Sequence, residues 1–403
     1  MLSSTTAALG GIRVLDLTSV VFGPYASQIL ADYGADVVKI ESPAGDSTRN
    51  TGPALETGMS AVFLGINRNK RSIVLDLKKA SAREALLSLI DSADVLMHSV
   101  RPQKMAALGL DADTVRARNP RLIYAGLHGF GNGGAYSGDP AYDDTIQGLS
   151  GIADIVARQS GEPRYLPTIA ADKTCGLVAA HAILAALFQR ERTGQGQFVE
   201  IPMFESMASY TLVEHFYGRH LVDAGEPAGY PRLLSAWRRP YQTRDGYLCI
   251  MPYTDTHWQR FFAGTGHPEW ANDPRFTSIS ARTQHIDALY EITGTLMRER
   301  DSAEWLAFFA DHEIPATRVN TLEDLERDAH LKSVDFFVDL RDPQENTYRF
   351  TRNPVRMEQS VVPVAMPPRL GQHTREVLAE AGLSADTIDN LLRSGAAKHH
   401  AKL

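Results

Sequence analysis

Apolar positions in the first third of the chain fall into short β-branched runs that alternate with stretches of helical spacing. Ile12 to Leu17 is such a run and predicts a strand. After Gly23-Pro24, Tyr25 to Tyr33 repeats its apolar residues with helical spacing, and Gly34 supplies the usual helix stop. Asp36 to Ile40 predicts a second strand, so the chain opens with a βαβ unit, which joins parallel strands. Strands over Ser72 to Leu77, Ala93 to His98 and Leu122 to Leu127, with a helix over Ala80 to Ile90, continue the series. The fold class that follows is α/β, with a Rossmann-like, mostly parallel sheet.

The pattern changes downstream. Asn132 to Asp144 is rich in glycine and predicts a loop, and a long helix of small residues follows from about Lys173 to Arg192. Gln197 to Ile201 predicts a strand and Phe204 to Tyr217 a helix. Gly225, Pro227, Gly229 and Pro231 then cluster as a linker. Beyond it, Arg239 to Met251 reads as a hairpin turning at Asp245-Gly246. Helices over Trp258 to Phe262, Ile286 to Glu299 and Ser302 to His312 make this section α+β. The C-terminal part passes through Pro367-Pro368 to a helix over Thr374 to Ala381.

Composition narrows the function classes. With 403 residues, 43% hydrophobic and 22% charged, the chain is an ordinary globular protein long enough for two or three domains. A net charge of −7 argues against nucleic acid as a partner. Cys175 and Cys249 are the only cysteines, which excludes a disulfide framework and fits a reducing cytosol. The opening MLSSTTAALGG lacks the basic and apolar parts of a secretion signal. No apolar run reaches the roughly 18 residues of a membrane helix; Leu177 to Phe188 comes nearest and contains His181. The expectation is a cytoplasmic protein with no membrane partner.

Several segments could carry chemistry. Gly129-Phe130-Gly131-Asn132-Gly133-Gly134 contains a literal G-x-G-x-x-G after a predicted strand. A dinucleotide site needs a helix to open there, and Ala135 to Pro140 does not make one. The segment reads instead as a mobile glycine loop. The P-loop, H-E-x-x-H and G-x-S-x-G patterns are absent, and His215 and His220 have the wrong spacing for a shared metal, so no metal site is expected. Asp172 stands where Tyr165 to Ala171 ends and the long helix opens. It reads either as the N-cap of that helix or as a carboxylate nucleophile whose ionised form the helix start favours. Tyr142-Asp143-Asp144 reads as a turn with an N-cap or as part of a site. Asn67 to Ser72 is a basic cluster, either a solvated loop or a phosphate site. Arg101-Pro102 follows a strand, where open α/β sheets bind ligands. Arg232, Arg238 and Arg239 form a surface patch or a grip on a carboxylate.

In order along the chain, these motifs resemble the class III CoA-transferase family, the formyl-CoA transferase and carnitine CoA-transferase group. The resemblance is carried by Gly11 to Thr18, Gly23-Pro24, Leu30 to Glu41, Gly45-Asp46 with Arg49, Asn69 to Ile73, Leu75 to Lys78 and Arg101-Pro102. Thr193 to Gln197, Asp245 to Tyr247, Ile314 to Ala316 and Leu370 to Thr374 extend it over nearly the whole chain. It implies an enzyme that moves CoA from an acyl-CoA donor to a carboxylic acid through a covalent intermediate on Asp172. It implies CoA binding at Val21, Phe22, Ser42, Leu75, Lys78, Ser99, Arg101, Tyr142 and Asp143, with acyl-CoA as substrate and no tightly bound cofactor. It also implies an interlocked homodimer. Each chain would have a large domain over 1–224, a small α+β domain over 225–332, and a segment over 333–403 returning to the large domain. Formyl-CoA transferase has a glutamine at Val21 and a tryptophan at Thr51, so formyl and oxalate specificity is not implied. Many members use an arginine on the adenine where Ala107 stands, with Lys104 the candidate substitute here. The alternative is an α-methylacyl-CoA racemase. Those enzymes use a histidine where Tyr142 stands, and a tyrosine with an ordinary pKa of about 10 is a poor base for an α-proton.

Overall fold

The apolar runs form six parallel strands in the computed structural model, which describes residues 7–400. They are β1 (Arg13–Leu17), β2 (Asp36–Glu41), β3 (Lys70–Leu75), β4 (Val95–His98), β5 (Ile123–His128) and β6 (Phe198–Pro202). The first six residues of the N-terminal stretch read for a secretion signal lie outside the described residues. The strands lie in the order β3-β2-β1-β4-β5-β6, and each pairing in that order is parallel. Val14 and Leu15, like Val37 and Val38, point to opposite faces and are all buried, so both faces of the sheet are covered. That explains why these strands read as unbroken apolar runs.

The order reverses between β1 and β4. The chain leaves β1 through the helix Phe22–Asp32 toward β2, and leaves β4 toward β5 on the other side. The carboxyl ends of β1 and β4 therefore part into a crevice, the place where open α/β sheets bind ligands.

The helix Ala170–Thr193 leads into β6. At 24 residues, with an 18-residue window of mean hydropathy 1.4, it is long and apolar enough to cross a membrane by length and composition. This corrects the expectation that no segment is, because the helix starts earlier than its apolar pattern suggests. Half of the apolar window is buried inside the protein, and the helix packs on Phe22–Asp32, so here it is a core helix.

The chain divides into two units. One takes the residues up to Ser150, Pro167–Ala208 and those from Lys332 on. The other takes Gly151–Leu166 and Ser209–Leu331. In this second unit β7 (Tyr241–Gln242), β8 (Tyr247–Ile250) and β9 (Ala316–Arg318) form an antiparallel sheet, with Asp245-Gly246 turning between the first two. Its core is aromatic, with Trp258, Phe261, Phe262, Trp305 and Phe309 buried together. In the first unit, β10 (Phe337–Arg341) and β11 (Thr347–Thr351) form a hairpin. The helix Ala385–Arg393, which the apolar pattern did not predict, precedes β12 (Ala397–Lys398), which adds antiparallel to β3.

Candidate active site

The segments that leave β1, β4 and β5 enclose a cavity of about 320 Å³. Ser19, Val20 and Phe22 line it from the first, Ser99, Arg101 and Pro102 from the second, and His128 to Phe130 with Gly138 to Tyr142 from the third. Asp172 and Met203 complete the wall.

Asp172 is the third residue of its helix, whose N-cap is Ile169. The N-cap reading therefore fails. The helix start leaves N–H groups without intrahelical partners, and that of Asp172 donates to Asp143 Oδ1 at 3.0 Å. Asp143 opens the helix Asp143–Leu149, and its Oδ2 accepts from Gln147 Nε2 at 2.6 Å. Asp172 is only 8% exposed. The helix start favours a charged carboxylate, but burial and the neighbouring Asp143 charge oppose it and win. Asp172 is pushed up to about 7. This corrects the expectation that the helix would hold it ionised.

Cys175, one turn further on, is not a rival nucleophile. It is buried, its Sγ donates to Met203 O at 3.6 Å, and burial with the two nearby carboxylates pushes the thiol up to about 12. Gly176 lets the helix of Asp172 come close to its neighbour: a Cβ there would stand 2.8 Å from Tyr25 Cδ1 and 3.1 Å from Phe22 O. The rings of His98 and His128 lie 5.4 Å apart, and burial lowers both, His98 to about 3, so neither is a cation.

The glycine loop is held in place. Gly131 N donates to Glu205 Oε1 at 2.9 Å and Asn132 N to Glu200 Oε1 at 2.7 Å. The basic cluster over 67–72 is neither a solvated loop nor a phosphate site. Arg68 pairs with Asp32, and Arg71 with Asp36, Glu376 and Glu380. Lys70 is buried, with its Nζ donating to Asn67 Oδ1 and Pro24 O, both at 2.8 Å, and 3.4 Å from Asp16. These charges are internal pairs.

The turn after β1 is strained. Val20 has φ 69°, a conformation that costs a β-branched residue about 1–3 kcal/mol. Buried charges surround it. Lys39 Nζ donates to Thr18 O at 3.0 Å and to Asp46 Oδ2 at 2.8 Å, while Asp46 Oδ1 accepts from Val20 N at 3.3 Å. Asp16 Oδ1 accepts from Thr18 N at 2.9 Å and from Thr18 Oγ1 at 2.5 Å.

Among the residues expected to bind CoA, Phe22, Ser99, Arg101 and Tyr142 line the cavity together with Asp172. Val21 lies between two lining residues, and Asp143 supports Asp172 from behind. Ser42, Leu75 and Lys78 lie outside the lining, at or just past the carboxyl ends of β2 and β3, and Leu75 is buried in the sheet's core. Sequence reasoning missed Ser19, Val20, His128 and Met203. All four sit at or just past a strand end, which is the signal that could have found them. In the second unit, Arg232 Nε donates to Tyr290 Oη at 2.9 Å and Arg239 lies over the Trp237 ring. Among the described residues no group of three or more His, Cys, Asp or Glu is placed to hold a metal ion.

The profile of CoA-transferase family III matches residues 9–374. The succinyl-CoA:mesaconate CoA-transferase of Haloarcula hispanica is 32% identical over 397 residues, which cover 94% of this chain and 98% of that one. The succinate–glutarate CoA-transferase of Agrobacterium fabrum is 32% identical over 385 residues, 92% of this chain and 95% of that one. The crystal structure of a CAIB/BAIF family protein from Brucella suis matches with a TM-score of 0.77 at 31% identity, over 93% of this chain and 99% of that one.

Proposed function

The chain belongs to CoA-transferase family III and transfers CoA between an acyl-CoA and a carboxylic acid, and on that premise we propose that the transfer runs through a covalent intermediate on Asp172. The observation that carries this reading is a buried carboxylate, with no hydrogen-bond donor or cation on it among the described residues, set in the crevice where the sheet order reverses. Asp172 attacks the thioester carbonyl, the C–S bond breaks, and CoA leaves as thiolate. The thiolate then attacks the Asp172 carbonyl of the mixed anhydride and releases the donor's acid. The acceptor carboxylate attacks the resulting aspartyl-CoA thioester and expels CoA thiolate. A final attack of that thiolate on the acceptor's acyl carbon frees Asp172 and yields the new acyl-CoA. A carboxylate with a pKa near neutral suits this cycle, since it is more basic than an ordinary aspartate yet substantially ionised at pH 7.

Phe22, Ser99, Arg101 and Tyr142 are the proposed contacts for the thioester end of CoA, with Val21 and Asp143 beside them and Ser42, Leu75 and Lys78 toward the far end of the ligand. The names of the relatives support a dicarboxylate such as succinate as one substrate. Incubation with succinyl-CoA and hydroxylamine tests the covalent route. A hydroxamate mass shift on Asp172 is the expected result, and turnover without any trapped adduct would sink it.

The pH dependence follows from the carboxyl pair. Activity needs Asp172 ionised, so kcat/KM rises with pH through about 7. Asp143→Asn removes the like charge while keeping an oxygen for the Asp172 N–H. The acid limb of the pH–rate profile is then expected to move down by about 1 pH unit. An unmoved limb would remove Asp143 from this role.

We also propose that the enzyme is a homodimer. Leu177 and Phe188, on the helix Ala170–Thr193, are 53% and 67% exposed, an apolar surface that a second copy would cover. Light scattering is expected to give twice the mass of one chain, and a monomer at micromolar concentration contradicts this. Cys175 and Cys249 are free thiols, in keeping with a reducing compartment such as the cytoplasm.

A further inference from the structure

Ser19 and Val20 form one wall of the cavity, yet the transfer cycle consumes none of their groups. Their shape is imposed from behind. Val20 holds a backbone conformation that L side chains avoid, and Asp46 Oδ1 accepts its N–H. Asp46 Oδ2 and Thr18 O are in turn joined by Lys39 Nζ. Lys39 and Asp46 are both buried, so this pair is screened from solvent. The turn then bears on the nucleophile through two close approaches. Gly23 admits Thr18, whose Cβ stands 2.2 Å from where a Gly23 Cβ would be, and Gly176 admits Phe22 O and Tyr25. Thr18 thus sets the start of the helix Phe22–Asp32, and that start is the surface on which the helix of Asp172 rests.

We propose that Lys39 and Asp46 are positioning residues for the transfer reaction: their ion pair holds the left-handed turn at Val20, and the turn keeps the cavity wall in register with Asp172. The proposal rests on Asp172 as the nucleophile. It explains why two opposite charges are buried beside the cavity without touching it.

Asp46→Asn tests it in the full chain. A carboxylate accepts from Lys39 on one oxygen and from Val20 and Thr48 on the other. An amide can accept on one side only and presents N–H to the other. The expected result is a loss of about 10-fold or more in kcat, with KM for succinyl-CoA within about twofold, because reacting geometry is lost more than ground-state binding. The rate of hydroxamate formation on Asp172 falls in step. Glycine adopts the left-handed turn without a holding bond, so Asp46→Asn with Val20→Gly is expected to recover most of the lost kcat. A merely structural role would lower Tm and give no such rescue. The proposal is overturned by wild-type kcat in Asp46→Asn, or by a loss of kcat in folded protein that Val20→Gly does not restore. If Asp46→Asn does not fold, Lys39→Met removes the other charge of the pair together with its bond to Thr18 O and carries the same comparison, with the same rescue expected. Wild-type enzyme without a hydroxamate would refute the nucleophile, while the kcat comparison still decides the role of Asp46. A wild-type hydroxamate with an unaltered rate in the variant would refute the positioning role alone.

Discussion

Asp172→Ala and Asp172→Asn are expected to lose CoA transfer by about 10³-fold or more, with no adduct formed from succinyl-CoA and hydroxylamine. Neither of the two nucleophilic groups nearest Asp172 is placed to take over the covalent step. The Cys175 thiol is buried and pushed up to about 12, and the Asp143 carboxylate is tied to Gln147 and to the Asp172 N–H. The loss should fall on kcat while CoA still binds, since the residues proposed to contact CoA are untouched. Stability should move the other way. A carboxyl whose pKa is raised from 3.8 to about 7 in the fold is neutral at no cost below pH 3.8, opposes folding increasingly as pH rises from there to about 7, and opposes it by a constant amount above that. At pH 8 the opposition is on the order of 4 kcal/mol. Asp172→Asn should therefore raise Tm at pH 8 and leave it nearly unchanged at pH 4. A variant that keeps more than a few per cent of wild-type turnover would end the nucleophile reading. A variant that loses turnover and also loses Tm would point to a structural role instead.

The sheet was legible because a parallel sheet covered on both faces writes itself as unbroken apolar runs. β1, β2, β4 and β5 follow those runs within a residue or two. β3 was displaced because it begins at Lys70 and Arg71, charged residues that no hydrophobic pattern assigns to a strand. They can lie there because Asp16 and Asp36 lie across the neighbouring strands to meet them. The same limit hid the charges at Asp16 and Lys39, which sit inside runs that otherwise read as apolar. A residue pattern records which side chains are charged but not which partner is brought to them, since Asp46 and Lys39 meet only once the loop after β2 folds back. Asp172 shows the limit at the site itself. Its neighbours in sequence fit an N-cap as well as a nucleophile. Only the helix start at Ala170, and Asp143 arriving from another helix, separate the two.

The buried charges also set the largest stability effect expected from a position outside the cavity. Glu41→Ala should destabilise the protein by about 3–5 kcal/mol. Glu41 accepts from Arg49 Nε at 2.7 Å and Nη2 at 2.6 Å, and the two side chains are 2% and 3% exposed. Arg49 also lies 3.8 Å over the Phe63 ring and donates to Pro368 O in the C-terminal segment. Removing the carboxylate leaves a guanidinium in the core with only neutral acceptors, and arginine cannot shed its proton to escape. The exposed pair Arg118–Asp91, with side chains 43% and 44% exposed, is the control. Asp91→Ala should cost less than about 1 kcal/mol, because water solvates what is left. The sign of the pH dependence separates this mechanism from loss of packing. Burial pushes the Glu41 carboxyl up, but Arg49, Lys39 and Ser72 outweigh it and hold the carboxyl below its ordinary value. Its contribution to stability is therefore complete above the ordinary glutamate range and is lost as pH falls through the depressed value. The difference in Tm between wild type and Glu41→Ala should be constant from pH 6 to 8 and shrink below about pH 4. A difference that stays the same down to pH 3 would mean that Glu41 acts through its volume, and that Arg49 is held by Phe63 and Pro368 without it.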